Sequence, residues 1–302
     1  MTRSNPQSPR EACPKLAEQA QTHWHPHLSR RATGRTSDLV THDLFDRKLR
    51  SLRRDRAARM GPELFLYDRA FDECLDRLRD IARPFETAML LGCPSPEWVE
   101  RLRHLAPNVD IFDPGELFAS RAGGRAVQED RHDFGEARYD LCVAVGTLDT
   151  VNDLPLALQL IRRSLRSDSP LIGAMAGGNS LATLRASLIE AGRADGRVVA
   201  RTHPRIDGAS FASLLAAAGF SMPVVDIDRV QLTYPSLKHL IRDLRAMGVT
   251  SVLAERPTGL SQREVFSLET EFQKLRSNGR TEETVEILHF LGWNQQSRQS
   301  AN

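Results

Sequence analysis

Apolar residues recur along this chain with two periods, and the change between them marks its organisation. Over 44–59, Phe45, Leu49 and Leu52 stand about one turn apart, which predicts a helix, and a second helix is predicted over 64–81, broken by Pro84. Beyond Pro84, short apolar runs alternate with helical stripes. The runs predict strands over 88–91, 109–112, 125–128, 139–145 and 171–176. The stripes predict helices over 96–105, 153–165, 180–191 and 211–218, with a short turn at 116–120. Asp153 is placed to cap its helix, with Pro155 in the first turn, where a missing N–H is harmless. Such alternation indicates a parallel sheet with crossover helices.

The last third changes character. A strand over 224–233 closes at Tyr234-Pro235, and Leu237, Leu240, Ile241, Leu244 and Met247 then trace a helical stripe ending at Gly248. Ser261-Gln262-Arg263-Glu264 is a capping box opening a helix to about Arg276, with Asn278-Gly279 as its terminator. A final strand is expected over 283–291, antiparallel to 224–233. The expected organisation is a disordered basic extension (1–42), N-terminal helices (43–83), a sheet domain (84–293) with a helical insertion at 235–278, and a flexible tail (294–302).

Composition narrows the function classes. The chain has 302 residues, 40% hydrophobic and 26% charged, with a net charge of +2, so it is not a general polyanion binder and no nucleic-acid partner is expected. Four dispersed cysteines (Cys13, Cys74, Cys93, Cys142) form no CxxC pair, which suggests reduced thiols rather than a zinc site or disulfide framework. No apolar run reaches the ~18 residues of a transmembrane span. These features suggest a cytoplasmic protein, with the mitochondrial matrix as the second possibility. His23-Trp24-His25-Pro26-His27 lacks an acidic or cysteine partner, and no metal is expected. Seven basic residues (Arg47, Lys48, Arg50, Arg53, Arg54, Arg56, Arg59) crowd the first helix. They read either as a solvated face or as a guide to an acidic partner or a membrane surface.

The candidate chemistry centres on Glu86 to Trp98, where an apolar run ends at Gly92-Cys93 and a helix begins. That is the first strand, loop and helix of a nucleotide-binding α/β domain, whose ligand lies outside the carboxyl ends of the strands. Several blocks resemble the methyltransferase-fold mitochondrial complex I assembly factor (arginine hydroxylase) family: Phe45-Asp46-Arg47-Lys48-Leu49, Val151-Asn152-Asp153-Leu154-Pro155, the run Ile172 to Leu181 with Gly177-Gly178-Asn179, Tyr234-Pro235 with Leu244-Arg245-Ala246-Met247-Gly248, and Gly292-Trp293. A more distant resemblance is to the carrier-protein methyltransferase of biotin synthesis.

The resemblance implies a class I, Rossmann-like methyltransferase fold: a seven-stranded sheet of five parallel strands plus a late antiparallel hairpin, with helices on both faces. It also implies S-adenosylmethionine as cofactor, a protein side chain as the group acted on, by methylation or arginine hydroxylation, and a respiratory complex I subunit as partner. By position, Gly92 and Cys93 match the first cofactor loop, Asp113 the ribose-binding carboxylate after the second strand, and Glu129 and Asp130 the adenine-side residues after the third. No catalytic residue is assigned.

Departures from the family pattern support a second reading, a noncatalytic scaffold in respiratory complex assembly that has lost its cofactor. The family's Asp-Leu-Gly-Cys-Gly-x-Gly stands here as Leu90-Leu91-Gly92-Cys93-Pro94-Ser95-Pro96. Proline fixes φ and has no N–H to donate. Each lost ligand-facing hydrogen bond costs about 1.5–3 kcal/mol when charge-assisted, and one or two of them remove about one to four decades of affinity. Ser95 and Pro96 nevertheless suit a helix start. The family's His-Trp before Val151 is Asp149-Thr150, and Asn179 stands for an Asp.

Overall fold

Five residues, Thr87–Leu91 (β1), form an interior strand of a mixed sheet in the computed structural model, which describes residues 43–81, 83–194, 196, 199–255 and 259–295. The expected disordered extension, the histidine tract, Cys13 and most of the flexible tail lie outside the described residues. The other strands are Asn108–Asp113 (β2), Arg125–Ala126 (β3), Leu141–Val145 (β4), Ser169–Ala176 (β5), Ser221–Tyr234 (β6), Arg276–Ser277 (β7) and Arg280–Asn294 (β8). Their order is β3-β2-β1-β4-β5-β8-β6, with β7 paired to β8. Strands β1 to β5 run parallel, while β8 is antiparallel to both β5 and β6. The chain leaves β1 toward β2 on one side and returns to β4 on the other, so the switch point lies between β1 and β4.

Alternation along β1 explains why this sheet is covered on both faces. Ala88 and Leu90 enter one core with Phe71, Leu75 and Trp98, and Met89 and Leu91 enter the other with Ile161, Phe211 and Phe290. The first face is covered by helices Phe65–Asp80 (α2) and Pro96–Arg103 (α3), joined by Phe71 stacking on Trp98 at 4.3 Å between ring centroids. The second face carries Leu154–Ser164 (α5) and Gly208–Ala217 (α7). Asp153 caps α5 by accepting from the Leu156 N–H.

Boundaries differ from expectation where side chains or turns interrupt the ladder. Strand β3 stops at Ala126 because Gln128 O accepts from the Arg131 and His132 N–H groups, closing a turn. Tyr139 is not continuous with β4: the Asp140 carboxylate caps the Glu86 and Thr87 N–H groups instead. The short turn at 116–120 is a helix, Glu116–Arg121 (α4). Asn278-Gly279 does not merely end a helix. Both residues have positive φ (50° and 76°) and form the two-residue turn of a β7–β8 hairpin, as Asn-Gly favours. Helices Ala182–Ala194 (α6), Leu237–Ala246 (α8) and Gln262–Lys274 (α9) complete the last third, and α9 opens on the expected Ser261/Glu264 capping box.

The first helix, Arg47–Met60 (α1), departs most from its expected orientation. Leu52 is exposed, and the inward face carries Arg50, Arg54, Asp55, Ala57 and Ala58. The seven basic residues therefore do not make one solvated face: Arg50 and Arg54 are buried, while Lys48 and Arg59 remain exposed.

Candidate functional site

The carboxyl ends of β1, β2 and β4 converge on the loop after β1. Gly92 has φ +82°, and a Cβ there would lie 2.2 Å from Val145 O, so close passage past β4 requires glycine. Its N–H donates to Phe112 O at 2.8 Å, and the next N–H, of Cys93, donates to Asp113 Oδ2 at 2.9 Å. Ser95 then caps α3 and Pro96 occupies its first turn. Helix initiation thus survives the loss of the loop glycines. Leu90, at the position of the family's acidic residue, is fully buried in the core.

The structure brings the expected site carboxylates together and gives each an arginine of α1. Asp113 is fully buried; Arg54 Nε donates to its Oδ1 at 2.7 Å and Arg54 Nη2 to its Oδ2 at 2.6 Å. The Cys93 N–H and the Gly115 N–H (2.7 Å to Oδ1) complete the set. A carboxylate accepts about four hydrogen bonds, so Asp113 has no capacity left. Glu129, also buried, receives Arg50 Nη1 at 2.6 Å and Nη2 at 2.9 Å. The same guanidinium donates to Thr147 O at 2.5 Å and Thr150 Oγ1 at 3.0 Å. Asp130 receives Arg47 through both of its oxygens and the Asp153 N–H at 3.1 Å.

These pairings follow from helix geometry. Arg47, Arg50 and Arg54 are spaced i, i+3, i+7, which puts them on one face, and Asp130, Glu129 and Asp113 stand in the same order beneath it. Helix α1 is pressed close: a Cβ at Gly115 would lie 2.7 Å from the Arg54 Cβ. Its start is clamped by Asn152, whose amide accepts from the Phe45 N–H at 2.7 Å and donates to Phe45 O at 2.9 Å. The Asp46 N–H also donates to Val252 O, and the Asp55 carboxylate accepts from the Leu117 N–H at the start of α4.

Charge follows the contacts. Burial opposes ionisation of Arg54, but the Asp113 carboxylate raises its pKa above the ordinary arginine value. Burial likewise works against Asp130, yet Arg47 and the Asp153 N–H hold it below the usual carboxylate range. Burial and then Asp113 push the Cys93 thiol up to about 12, so it is not a nucleophile near neutral pH.

His203 and Arg205, neighbours of the cleft, had no signal in the sequence pattern. His203 is buried against Phe45 in an edge-on contact and accepts from the Val252 N–H at 2.8 Å; burial pushes its imidazole down to about 4. Arg205 and Asp149 line a cavity at the ends of β4 and β5. The departure at Asn179 has a local reason: its N–H and side-chain amide both donate to the buried Glu286 carboxylate, which an Asp would repel.

A sheet of this order, with a crevice at the β1/β4 switch point, is the class I S-adenosylmethionine-dependent methyltransferase fold. Solved structures agree: a Bacillus halodurans C-125 protein classed with the methyltransferases matches with TM-score 0.51 at 12% identity over 74% of this chain and 99% of its own. YcgJ of Bacillus subtilis matches with TM-score 0.50 at 8% identity over 74% and 98%. No protein-family model matches. The mitochondrial arginine-hydroxylase NDUFAF5 of Danio rerio is 30% identical over 267 residues, 83% of each chain, and the Homo sapiens protein is 29% identical over 84% of this chain and 77% of its own. A malonyl-[acyl-carrier protein] O-methyltransferase of Laribacter hongkongensis is 33% identical over 52% of this chain and 55% of its own. The chain belongs to the methyltransferase-fold complex I assembly factor family that contains the NDUFAF5 arginine hydroxylases.

The ribose-side carboxylate is saturated, the two beside it are paired with arginines of the same chain, and Pro94 and Pro96 stand where glycine N–H groups would serve a ligand. Among the described residues no helix is long and apolar enough to cross a membrane.

Proposed function

We propose that this protein is a noncatalytic, methyltransferase-fold factor in respiratory complex I assembly, acting in the cytoplasm on a complex I subunit without S-adenosylmethionine. Helix α1 takes the place of the cofactor as the partner of Asp113, Glu129 and Asp130. The observation that carries this reading is the Arg54–Asp113 pair, because it completes the four hydrogen bonds of the carboxylate that would otherwise hold the ribose. The relatives named as arginine hydroxylases support the assembly setting. The proline-bearing loop and Leu90 support the loss of cofactor use. Buried thiols at Cys74, Cys93 and Cys142 suit a reducing compartment.

Calorimetric titration with S-adenosylmethionine and S-adenosylhomocysteine tests the first half. The expected result is no heat and no thermal shift at millimolar ligand, and micromolar binding overturns it. Copurification tests the second half: complex I subunits should accompany the protein, and normal complex I accumulation in its absence would refute the assembly role.

A further inference from the structure

Next to the closed cleft, the carboxyl ends of β4 and β5 open into a cavity of about 80 Å³, walled by Leu66 and Ala70 of α2, Met175 of β5, Leu244 of α8 and Ile287 of β8. A second chamber of about 230 Å³ lies among α6, α8 and α9, lined by Leu184, Leu188, Ile241 and Leu268. Leu181, Leu244, Val249 and Arg205 line both chambers.

Arg205 is the charged group at this junction. Its Nε is shielded from solvent and has no hydrogen-bond partner, an arrangement that costs stability until a partner arrives. Asp149, which lines the first chamber, attracts it without forming an ion pair among the described residues. His203 lines the second chamber and, with its low pKa, is neutral near pH 7. The cavity thus offers an apolar path through two chambers with one guanidinium short of a partner.

We propose that this double chamber binds an aliphatic monocarboxylate, its carboxylate paired with Arg205 and its chain lying along Leu181, Leu244 and Val249. The planar guanidinium fork matches a two-oxygen carboxylate. A dianionic head would meet Asp149 with a second uncompensated charge. The site borders the arginine-filled cleft through Gly146 and Asp149, but its anchor is Arg205 and not Arg50 or Arg54.

Titration calorimetry on the full chain, below the micelle concentration, with dodecanoate, dodecanol and dodecyl phosphate tests it. Dodecanoate should bind at least tenfold more tightly than either of the others. Arg205→Gln should weaken dodecanoate at least tenfold and leave dodecanol unchanged, while Leu244→Trp, which fills the junction, should weaken both. Thermal unfolding checks that each variant is folded, and Arg205→Lys, which keeps the charge but not the fork, should fall between wild type and Arg205→Gln. Absence of dodecanoate binding, equal affinity for dodecanoate and dodecanol, equal affinity for dodecyl phosphate, or indifference to Arg205→Gln would overturn the proposal.

Discussion

Arg54 and Asp113 form a buried bidentate pair that joins the first helix to the end of the second strand, 59 residues apart. Asp113 is fully buried and Arg54 only 4% exposed, so removing either partner leaves the other charge without water. Arg54→Met should therefore destabilise the protein by about 3–5 kcal/mol in urea unfolding. The double variant Arg54→Met/Asp113→Asn should recover part of that loss, since the amide oxygen still accepts from the Cys93 or Gly115 N–H. A double variant no more stable than Arg54→Met would contradict the pairing.

Restoring the loop alone should not restore the cofactor. Pro94→Gly/Pro96→Gly returns two N–H groups but leaves Asp113 and Glu129 held by Arg54 and Arg50. Calorimetry should show no S-adenosylhomocysteine binding for that variant, and submillimolar binding once Arg50→Ala and Arg54→Ala are added. Far-UV circular dichroism checks that the combined variant is folded. Binding by the loop variant alone would mean that α1 does not guard the site.

Acid should destabilise the fold through His203. Its pKa is depressed by burial to about 4 from an ordinary 6.5, so the unfolded chain takes up the proton first. Stability is then full above pH ~6.5 and falls as pH drops toward ~4. The urea midpoint should decline through that window in the wild type. The decline should be shallower in His203→Gln, whose amide oxygen can still accept from the Val252 N–H. Identical slopes would place the titrating group elsewhere.

Asn179 and Glu286 make a matched donor–acceptor pair linking the glycine-rich block to β8. Asn179→Asp, although it restores the family's residue, should cost about 1–3 kcal/mol by setting a carboxylate against a buried one. Thermal or urea unfolding near neutral pH checks this, and the penalty should shrink as acid protonates the pair.

The sheet was legible because each strand is an apolar run bounded by turn residues, and β1 carries its two-sided burial in consecutive apolar positions. The β7–β8 hairpin was hidden because Asn278-Gly279 serves equally as a helix stop and as a type I′ turn, and only pairing across the turn decides between them. The positions of Asp113, Glu129 and Asp130 could be read from strand ends. Their arginine partners could not, because basic residues at helical spacing look alike whether they face water or buried carboxylates. The i, i+3, i+7 spacing of Arg47, Arg50 and Arg54 was the available signal. Arg205 and His203 lie outside any apolar period, and only the folded chain brings them to the cavity.

Helix α1 also imposes an order on synthesis. Chains emerge from the amino end and fold as their parts appear, so α1 is made before the three carboxylates that bury against its arginines. Asp113, Glu129 and Asp130 follow, then Asn152, and last the Val252 carbonyl that accepts from the Asp46 N–H at 2.7 Å. Until roughly seventy residues beyond α1 have been added, Arg47 and Arg50 lack their buried carboxylate partners. The three carboxylates therefore act as the internal receptor of α1, and the interval before they close on it is when a nascent chain is most exposed to polyanions such as ribosomal RNA.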